Sequence, residues 1–199
     1  YSAGLMRVGA SGVGEPFAGY ISNMRVVNGT ALYTANFTPG TQPLTAVSGT
    51  SLLTCQSPNL VDNSLYAFTV TKVGDTSVQK FSPFATVTQT PQTHSVYFDG
   101  TGDYLSTSSS MNFGTSNFTV ELWAYWSTHA DYAGFISTPG GGSGQLQIIF
   151  NASANTLRLD IGGVQWITSY AMTPSVWTQL AVVRVGSAVT LYANGVSVA

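Results

Sequence analysis

The chain has 199 residues, of which 44% are hydrophobic and only 7% are charged. Serine, threonine, glycine and asparagine supply the polarity, and the apolar content excludes intrinsic disorder. A formal net charge of −2 leaves no basic stripe, so nucleic-acid binding through phosphate neutralisation is not expected. No apolar run reaches the length of a membrane-spanning helix, so we expect no membrane segment. Because the chain begins with Tyr1, we interpret it as a processed product or a fragment.

Short strand patterns separated by turns fill the first 84 residues. Strands are predicted at 5–8, 19–27, 51–56, 66–72 and 77–81. Apolar and polar residues alternate only in part over 19–27, which favours a strand near a sheet edge. Phe81 and Phe84 flank a proline, which indicates a hydrophobic plug at a sheet edge.

The strand pattern at 118–126 carries large side chains at both parities. One set of alternate residues is Phe118, Val120, Leu122, Ala124 and Trp126, and the other is Thr119, Glu121, Trp123 and Tyr125. Because alternate residues of a strand point to opposite faces, both faces of this strand need cover. We therefore predict that it lies at the centre of a sheet that is layered against something else.

The remaining strands recur at short intervals to the end of the chain. They are predicted at 133–137, 145–150, 156–161, 165–170, 177–184, 189–193 and 196–199, with a glycine-rich loop at 140–144. No segment of ten or more residues shows helical periodicity. An all-β fold is predicted, as an antiparallel sandwich or jelly roll.

Cys55 is the only cysteine in the chain. An intrachain disulfide and a cysteine-rich metal site are therefore excluded. A buried thiol is the favoured interpretation, and an interchain bridge is the alternative.

Several stretches resemble a laminin-G-like domain of the concanavalin A-like lectin/glucanase superfamily. They are 95–126, the run WTQLAVVR at 177–184 and LYANG at 191–195. Residues 19–27, with the following stretch through Pro39, resemble the last strands of that domain. Residues 51–84 resemble its opening strands, as found in tandem copies in phage tail and fibre proteins. The resemblance implies a concanavalin A-like jelly-roll sandwich.

The order of these stretches suggests a repeat that is cut out of phase. Residues 1–45 resemble the closing strands of the domain, and residues 46–199 resemble its opening and central strands. Residues 1–45 either complete the same chain's sandwich or complete a neighbouring copy, in which case another chain donates strands to this one. We therefore hypothesise a filament-like assembly, with a homo-oligomer or a tandem-repeat neighbour as partner. An extracellular or virion location is expected.

The resemblance implies that oxygen ligands for calcium are worth seeking, because many relatives in the superfamily bind that ion. Asp99 and Asp103 are the better pair of candidates, since they bracket Gly100 and Gly102. Asn112, Asp131 and Asp160 are further oxygen-bearing side chains. The alternative is that both aspartates cap the turn that contains Gly100 and Gly102 through local backbone hydrogen bonds. Apart from possible calcium, no cofactor is expected.

A carbohydrate-facing surface is the second kind of site that the sequence suggests. Trp166 and Tyr170 share a parity on one strand, and Tyr132 lies in a loop near His129 and Asp131. These three aromatic residues are candidates for stacking on a sugar ring. Trp123, Trp126 and Trp177 are expected mainly in the core.

Catalysis is not expected from the acidic and histidine side chains. Glycoside hydrolases need two carboxylates that flank the scissile bond, and the strand that holds Glu121 has no second acid on the same face. His94 and His129 lie far apart in sequence, and neither has the context of a serine or cysteine nucleophile. The favoured function is a non-enzymatic structural or adhesion module of a repetitive fibre. The alternative is a carbohydrate-binding module that recognises a cell-surface glycan.

Overall fold

A computed structural model describes residues 5–12, 14–84, 93–111, 113–138, 145–151 and 155–199. In order along the chain, the strands of these residues are β1 (Leu5–Val8), β2 (Ala18–Asn28), β3 (Thr50–Thr54), β4 (Val70–Val73), β5 (Ser77–Gln79), β6 (Ser95–Asp99), β7 (Tyr104–Ser110), β8 (Phe118–Trp126), β9 (Gly134–Ser137), β10 (Leu146–Phe150), β11 (Thr156–Ile161), β12 (Val164–Ala171), β13 (Thr178–Val185), β14 (Ala188–Ala193) and β15 (Val196–Ser197). The described residues contain no helix that is long and apolar enough to span a membrane. The predicted glycine-rich loop at 140–144 falls outside them.

The strands form two antiparallel sheets. The seven-stranded sheet has the order β12-β11-β10-β9-β1-β7-β4, and the eight-stranded sheet has the order β15-β14-β13-β8-β2-β6-β5, with β3 also paired to β2. One continuous core of buried side chains from both sheets, including Phe98, Phe118, Leu122, Phe135 and Phe150, lies between them. The prediction of an all-β jelly-roll sandwich is confirmed.

Strand β8 lies at the centre of its sheet, between β13 and β2, as predicted. Phe118, Val120 and Leu122 point into the core and are fully buried. The residues of the other parity point to the outer face of the sheet, where Thr119 and Glu121 are also buried. Both faces of β8 are therefore covered, one by the seven-stranded sheet and the other by loops.

The first two strands take interior positions in the two sheets. β1 pairs with β7 and β9, while β2 pairs with β8, β6 and β3. Residues 5–28 thus contribute a strand to each of the two sheets of their own chain. The division of the chain at residue 45 stays a prediction, since both parts contribute to one core.

The prediction that residues 19–27 lie near a sheet edge is wrong, because β2 has neighbours on both sides. Its partial alternation comes from a bulge at Asn23, which has a φ of 51° and interrupts the register with β8 between Ser22 and Arg25. Before the bulge Ile21 points into the core, and after it Met24 and Val26 do so. The extra residue shifts the inward positions from odd to even numbers.

The predicted strand at 66–72 begins only at Val70. Asp62 explains the difference, since its carboxylate accepts hydrogen bonds from the backbone N–H groups of Leu53, Ser64 and Phe68, each at 2.9 Å. Ala67 within this turn has a φ of 46°. Local hydrogen bonding to an aspartate therefore overrides the alternating pattern.

Phe81 and Phe84 form the predicted plug, although it lies on the outer face of the eight-stranded sheet and not at its edge. The Phe81 ring lies 4.8 to 5.2 Å from the rings of Tyr20, Tyr125 and Trp177. Phe84 packs edge-on against Trp123 at 5.6 Å. The plug covers one end of that face.

Residues 30–47, which we call the strap, cover the rest of the same face without forming a strand. Ala31, Tyr33 and Phe37 pack on a small apolar cluster of Ala181, Val183 and Tyr192. Asn23 at the β2 bulge accepts a hydrogen bond from the backbone of Leu44 at 2.8 Å. Both ends of the strap are thereby fixed to the sheet, one by side-chain packing and the other by a backbone hydrogen bond.

A buried ion pair lies beneath the strap. Arg25 on β2 is directly opposite Glu121 on β8, and its Nε and Nη2 atoms donate to Glu121 Oε1 at 2.9 and 2.5 Å. The strap completes the network, because the Tyr33 hydroxyl donates to Glu121 Oε2 at 2.8 Å and Arg25 Nη1 donates to the Thr45 carbonyl at 2.7 Å. Both charges are therefore hydrogen-bonded on the strap side as well as to each other.

Cys55 is buried, as favoured from the sequence, and its thiol is free. Burial raises the pKa of the Cys55 thiol to about 12. Since the thiolate is the reactive form, this cysteine is protected from oxidation and labelling in the folded chain.

We predict that Glu121→Leu lowers the free energy of unfolding by about 3–5 kcal/mol, because it leaves the Arg25 guanidinium buried without a counter-charge. The double variant Arg25→Met/Glu121→Leu should recover most of that loss, since no isolated charge remains. Urea unfolding of both variants measures the difference. Equal destabilisation of the single and double variants would contradict the role of the ion pair.

Burial, and then the neighbouring Glu121 carboxylate, raise the pKa of the Tyr33 hydroxyl. A phenol whose pKa is higher in the folded state contributes stability that is complete below the unfolded pKa of about 10 and is lost as the pH rises above it. The stability advantage of the wild type over Tyr33→Phe should therefore be larger at pH 8 than at pH 10.5. Urea unfolding of the two proteins at both pH values tests this, and an advantage that does not change with pH would refute it.

Candidate functional site

Asp103 joins two turns at one rim of the sandwich. Its Oδ1 accepts a hydrogen bond from the backbone of Asp75 at 2.9 Å, and its Oδ2 accepts one from the backbone of Asp99 at 3.0 Å. The side chain is completely buried. A Cβ added to Gly74 would overlap the Asp103 carboxylate, so glycine is required at that position. Both turns carry the chain between the two sheets.

Three carboxylates converge at this rim. Oxygen atoms of Asp75, Asp99 and Asp103 lie within 4.8 Å of one another, and the first two side chains are exposed. Each oxygen of Asp103 keeps a second lone pair after it accepts an amide hydrogen. Carboxylate oxygens are the ligands that Ca²⁺ takes, so the residues fit the ion, and calcium binding stays a prediction.

Sequence reasoning named Asp99 and Asp103 but missed Asp75. The signal for Asp75 is its position directly after Gly74, in a turn between strands that pair with β6 and β7. The capping role proposed as the alternative accounts for the backbone hydrogen bonds of Asp103 and for that of Asp99, which accepts from the backbone of Thr101 at 2.6 Å. Of the other oxygen ligands considered, Asp160 is paired with an arginine on the outer face of the seven-stranded sheet, and Asn112 lies outside the described residues.

Tyr132 lines an open pocket on the outer face of the seven-stranded sheet. The pocket has a volume of about 240 Å³, and its other lining residues are Ser11, Gln147, Ile149 and Arg158. The Tyr132 side chain is 40% exposed, and its backbone has a φ of 62°. Non-glycine residues rarely take this conformation, and here it occurs at a residue that lines the pocket.

Arg158 is held in place below Tyr132 by a chain of hydrogen bonds. Its guanidinium lies 5.6 Å from the centre of the Tyr132 ring and donates twice to Asp160, with both distances 2.6 Å. Gln147 donates to the same carboxylate at 2.7 Å and accepts from the backbone of Gly12 at 3.0 Å. Hydrogen bonding to Asp160 raises the pKa of Arg158, so the guanidinium stays protonated.

The chemistry of this pocket suits a neutral, hydroxyl-rich ligand. It offers an aromatic ring, an apolar side chain in Ile149, and the guanidinium, amide and hydroxyl groups of its other lining residues. Sequence reasoning identified Tyr132 but not Arg158 or Gln147. The available signal was the pair of opposite charges at alternate positions of β11, in a chain with few charged residues.

Trp166 and Tyr170 lie together on β12, but not with Tyr132. Trp166 is directly opposite the core residue Leu159, whereas Ile167 is opposite Arg158. Directly opposite residues share a face of the sheet, so Trp166 and Tyr170 point to the core side and Tyr132 lies on the other side. The Tyr170 hydroxyl accepts a hydrogen bond from Asn194 at 3.4 Å, which connects the two sheets. Burial raises the pKa of Tyr170.

A larger open pocket, with a volume of about 500 Å³, lies beside the end of the strap. Its lining residues are Leu65, Tyr66 and residues 46–50. None of these side chains is charged, and Leu65 is 99% exposed. The pocket therefore offers apolar surface and few directed hydrogen bonds.

The residues considered for catalysis have structural partners. Glu121 is 2% exposed and bonded to Arg25 and Tyr33 beneath the strap. His129 stacks on Phe150 at 4.1 Å and contacts Asn155 through Nε2 at 2.9 Å. Glu121 thus serves as a hydrogen-bonded partner within the fold.

We predict that Asp103→Ala lowers the free energy of unfolding by about 0.5–1.5 kcal/mol for each of the two partly buried amide groups that lose their acceptor. Thermal unfolding in calcium and in EDTA separates the two roles of the cluster. If the rim binds calcium, the wild type gains stability from the ion, and a variant that combines Asp75→Asn with Asp99→Asn does not. If calcium has no effect on the wild type, the cluster serves only to join the turns.

Comparison with protein families shows one match, to a laminin-G-like family model of the concanavalin A-like lectin/glucanases superfamily over residues 98–199. The match begins at the end of β6 and covers β7 to β15, just over half of the chain. Comparisons with curated proteins and with solved structures gave no match. Taken with the two-sheet sandwich, the family match establishes that the chain belongs to the concanavalin A-like lectin/glucanase superfamily.

Proposed function

We propose that the chain is a non-enzymatic adhesion module of a repetitive extracellular or virion fibre, and that it binds a cell-surface glycan. The pocket beside Tyr132 is the observation that carries this proposal. Within it, the Arg158 guanidinium is fixed by hydrogen bonds that run through Asp160 and Gln147 to the backbone of Gly12, and the exposed Tyr132 ring lies over that guanidinium.

A sugar ring has an apolar face of C–H groups and a rim of hydroxyl groups. Tyr132 offers a ring on which the apolar face can stack, and the polar side chains of the pocket match the hydroxyl rim. Because Arg158 is already neutralised by Asp160, a neutral sugar meets no unpaired charge. The preformed network also lowers the entropy cost of ordering these side chains on binding.

The non-enzymatic part of the proposal is supported by the partners of the acidic side chains. Glu121 forms a buried ion pair with Arg25, and Asp103 accepts hydrogen bonds from two backbone amides. The fibre part is supported by the resemblance of residues 51–84 to tandem copies in phage tail and fibre proteins. A structural module without glycan affinity is the second candidate.

Glycan-array binding by the whole chain tests the proposal. We expect the wild type to bind a subset of neutral glycans, and Tyr132→Ala to bind them about tenfold or more weakly, because the ring on which the sugar stacks is lost. Trp166→Ala is the matched control, since it removes a partly exposed aromatic residue from the opposite face of the same sheet. It should leave binding unchanged.

Two outcomes would contradict this assignment. If Trp166→Ala abolishes binding and Tyr132→Ala does not, the glycan site lies at β12. If the wild type binds no glycan, the glycan-binding part of the proposal is wrong, and a structural module without glycan affinity is the candidate that remains. Thermal unfolding of each variant confirms that it is folded before binding is compared.

A further inference from the structure

An apolar turn projects into solvent beside the larger pocket described above. The turn comprises residues 61–67, and its residue Leu65 is 99% exposed, so this leucine contacts almost nothing in its own chain. Tyr66 is 63% exposed and Val61 41%. Single apolar residues are normal on a protein surface, whereas a group of large exposed ones marks an interaction site.

The turn is held in one conformation by its own contacts. The Ser64 hydroxyl donates to the buried Asp62 carboxylate at 2.9 Å and accepts a hydrogen bond from the backbone of Tyr66 at 3.2 Å. The Tyr66 ring stacks on Phe68 with the ring centres 5.5 Å apart, and Phe68 packs against the core. Leu65 is therefore presented on a preorganised support, which lowers the entropy cost of binding.

The larger pocket, which we call the groove, lies between this turn and residues 46–50. That second wall is also fixed. Thr50 and Val47 exchange two hydrogen bonds, of 2.8 and 3.0 Å, and the Gly49 carbonyl accepts one from the backbone of Asn28 at 2.9 Å. A preformed groove with a volume of about 500 Å³ thus lies directly beside the exposed leucine.

The segments that form the groove and the turn carry no exposed charge. Residues 26–71 contain a single charged residue, Asp62, and its side chain is buried. The exposed polar residues around the groove, such as Thr45, Ser48 and Asn63, are uncharged. These segments therefore do not repel an identical copy, and they offer no counter-charge to a charged partner.

We propose that this region is a self-association surface, in which Leu65 of one copy fills the groove of a second copy. Because the leucine and the groove lie side by side, a two-fold axis between two copies places each leucine in the other's groove. Both apolar features are then covered in one contact. A different partner would have to supply a separate complement to each of them.

The contact is small, so it is weak between two isolated chains. Segments 46–50 and 61–67 provide fewer residues than the roughly 20–30 on each side of a stable interface. In an array of joined copies, each contact raises the effective concentration for the next, so weak contacts become effective. The inference therefore rests on the fibre part of the proposed function, and it does not depend on glycan binding at the Tyr132 pocket.

Sedimentation velocity over a range of protein concentrations provides the first test. The wild type should shift from monomer to dimer as the concentration rises. Leu65→Ser should weaken the dimer about a hundredfold, because two buried leucines are lost from each dimer. The near-complete exposure of Leu65 means that the fold should tolerate this change. The matched control is Val176→Ser, which removes a valine that is 47% exposed at the end of the eight-stranded sheet opposite Asn28, and it should leave the dimer unchanged.

Mixing two charged variants tests whether the leucine enters the groove. Leu65→Asp places a charge on the leucine position, and Ser48→Lys places one in the groove, so each variant alone should be monomeric. An equal mixture should form a heterodimer, because the aspartate of one chain meets the lysine of the other while the remaining leucine fills an unaltered groove. A mixture that stays monomeric would overturn the placement of the leucine in the groove.

Two further outcomes would overturn the proposal. One is a wild type that is monomeric at its highest soluble concentration. The other is a monomeric wild type that floats with phosphatidylcholine vesicles when Leu65→Ser does not, since the partner would then be a lipid surface. Glycan binding by the dissociated Leu65→Ser variant, and dimerisation by Tyr132→Ala, distinguish failure of this interface from failure of the Tyr132 pocket.

Discussion

The buried pair of Arg25 and Glu121 is the interaction on which the outer layer of this sandwich depends. It couples adjacent strands at the centre of the eight-stranded sheet, and its remaining hydrogen-bonding groups bind Tyr33 and Thr45 of the strap. A buried ion pair is stable only when its charged groups have further hydrogen-bond partners, and the strap supplies one to each of the two side chains. In return, the pair fixes a segment that has no strand partner of its own.

The same principle applies at the rim and in the outer pocket, where a carboxylate organises backbone or side-chain donors. Asp103 fixes the two turns that cross between sheets, Asp62 shapes the turn before β4, and Asp160 positions Arg158 under Tyr132. A chain with only eight acidic residues uses several of them as fixed acceptors inside the structure. Because several of its few acidic side chains are bonded within the fold, the protein has few carboxylates left for its surface.

The sequence predicts the strands and the sandwich well, because hydrophobic alternation reports burial directly. The central position of β8 follows from the aromatic residues at both of its parities. Two errors have local causes. The bulge at Asn23 breaks the alternation of β2, so an interior strand was predicted near an edge. Hydrogen bonds to Asp62 hold residues before Val70 in a turn, so β4 begins later than predicted. For the candidate site, Tyr132, Asp99 and Asp103 could be named from their residue types and turn context. Asp75, Arg158 and Gln147 were missed, because their place in the site depends on which turns meet at the rim and on which residues of β10 and β11 lie opposite each other.

The interior positions of β1 and β2 have a consequence for how the chain folds. Val8 pairs with Ile136, and Val26 pairs with Val120, so the closing strands meet partners that are synthesised far later. The hairpins of β10, β11 and β12 and of β13 and β14, by contrast, join residues close in sequence. Loop-closure entropy makes such distant pairings slow, so the local hairpins should form first and insertion of residues 5–28 should limit the rate of folding. The segment that completes both sheets is therefore also the last to become protected from solvent.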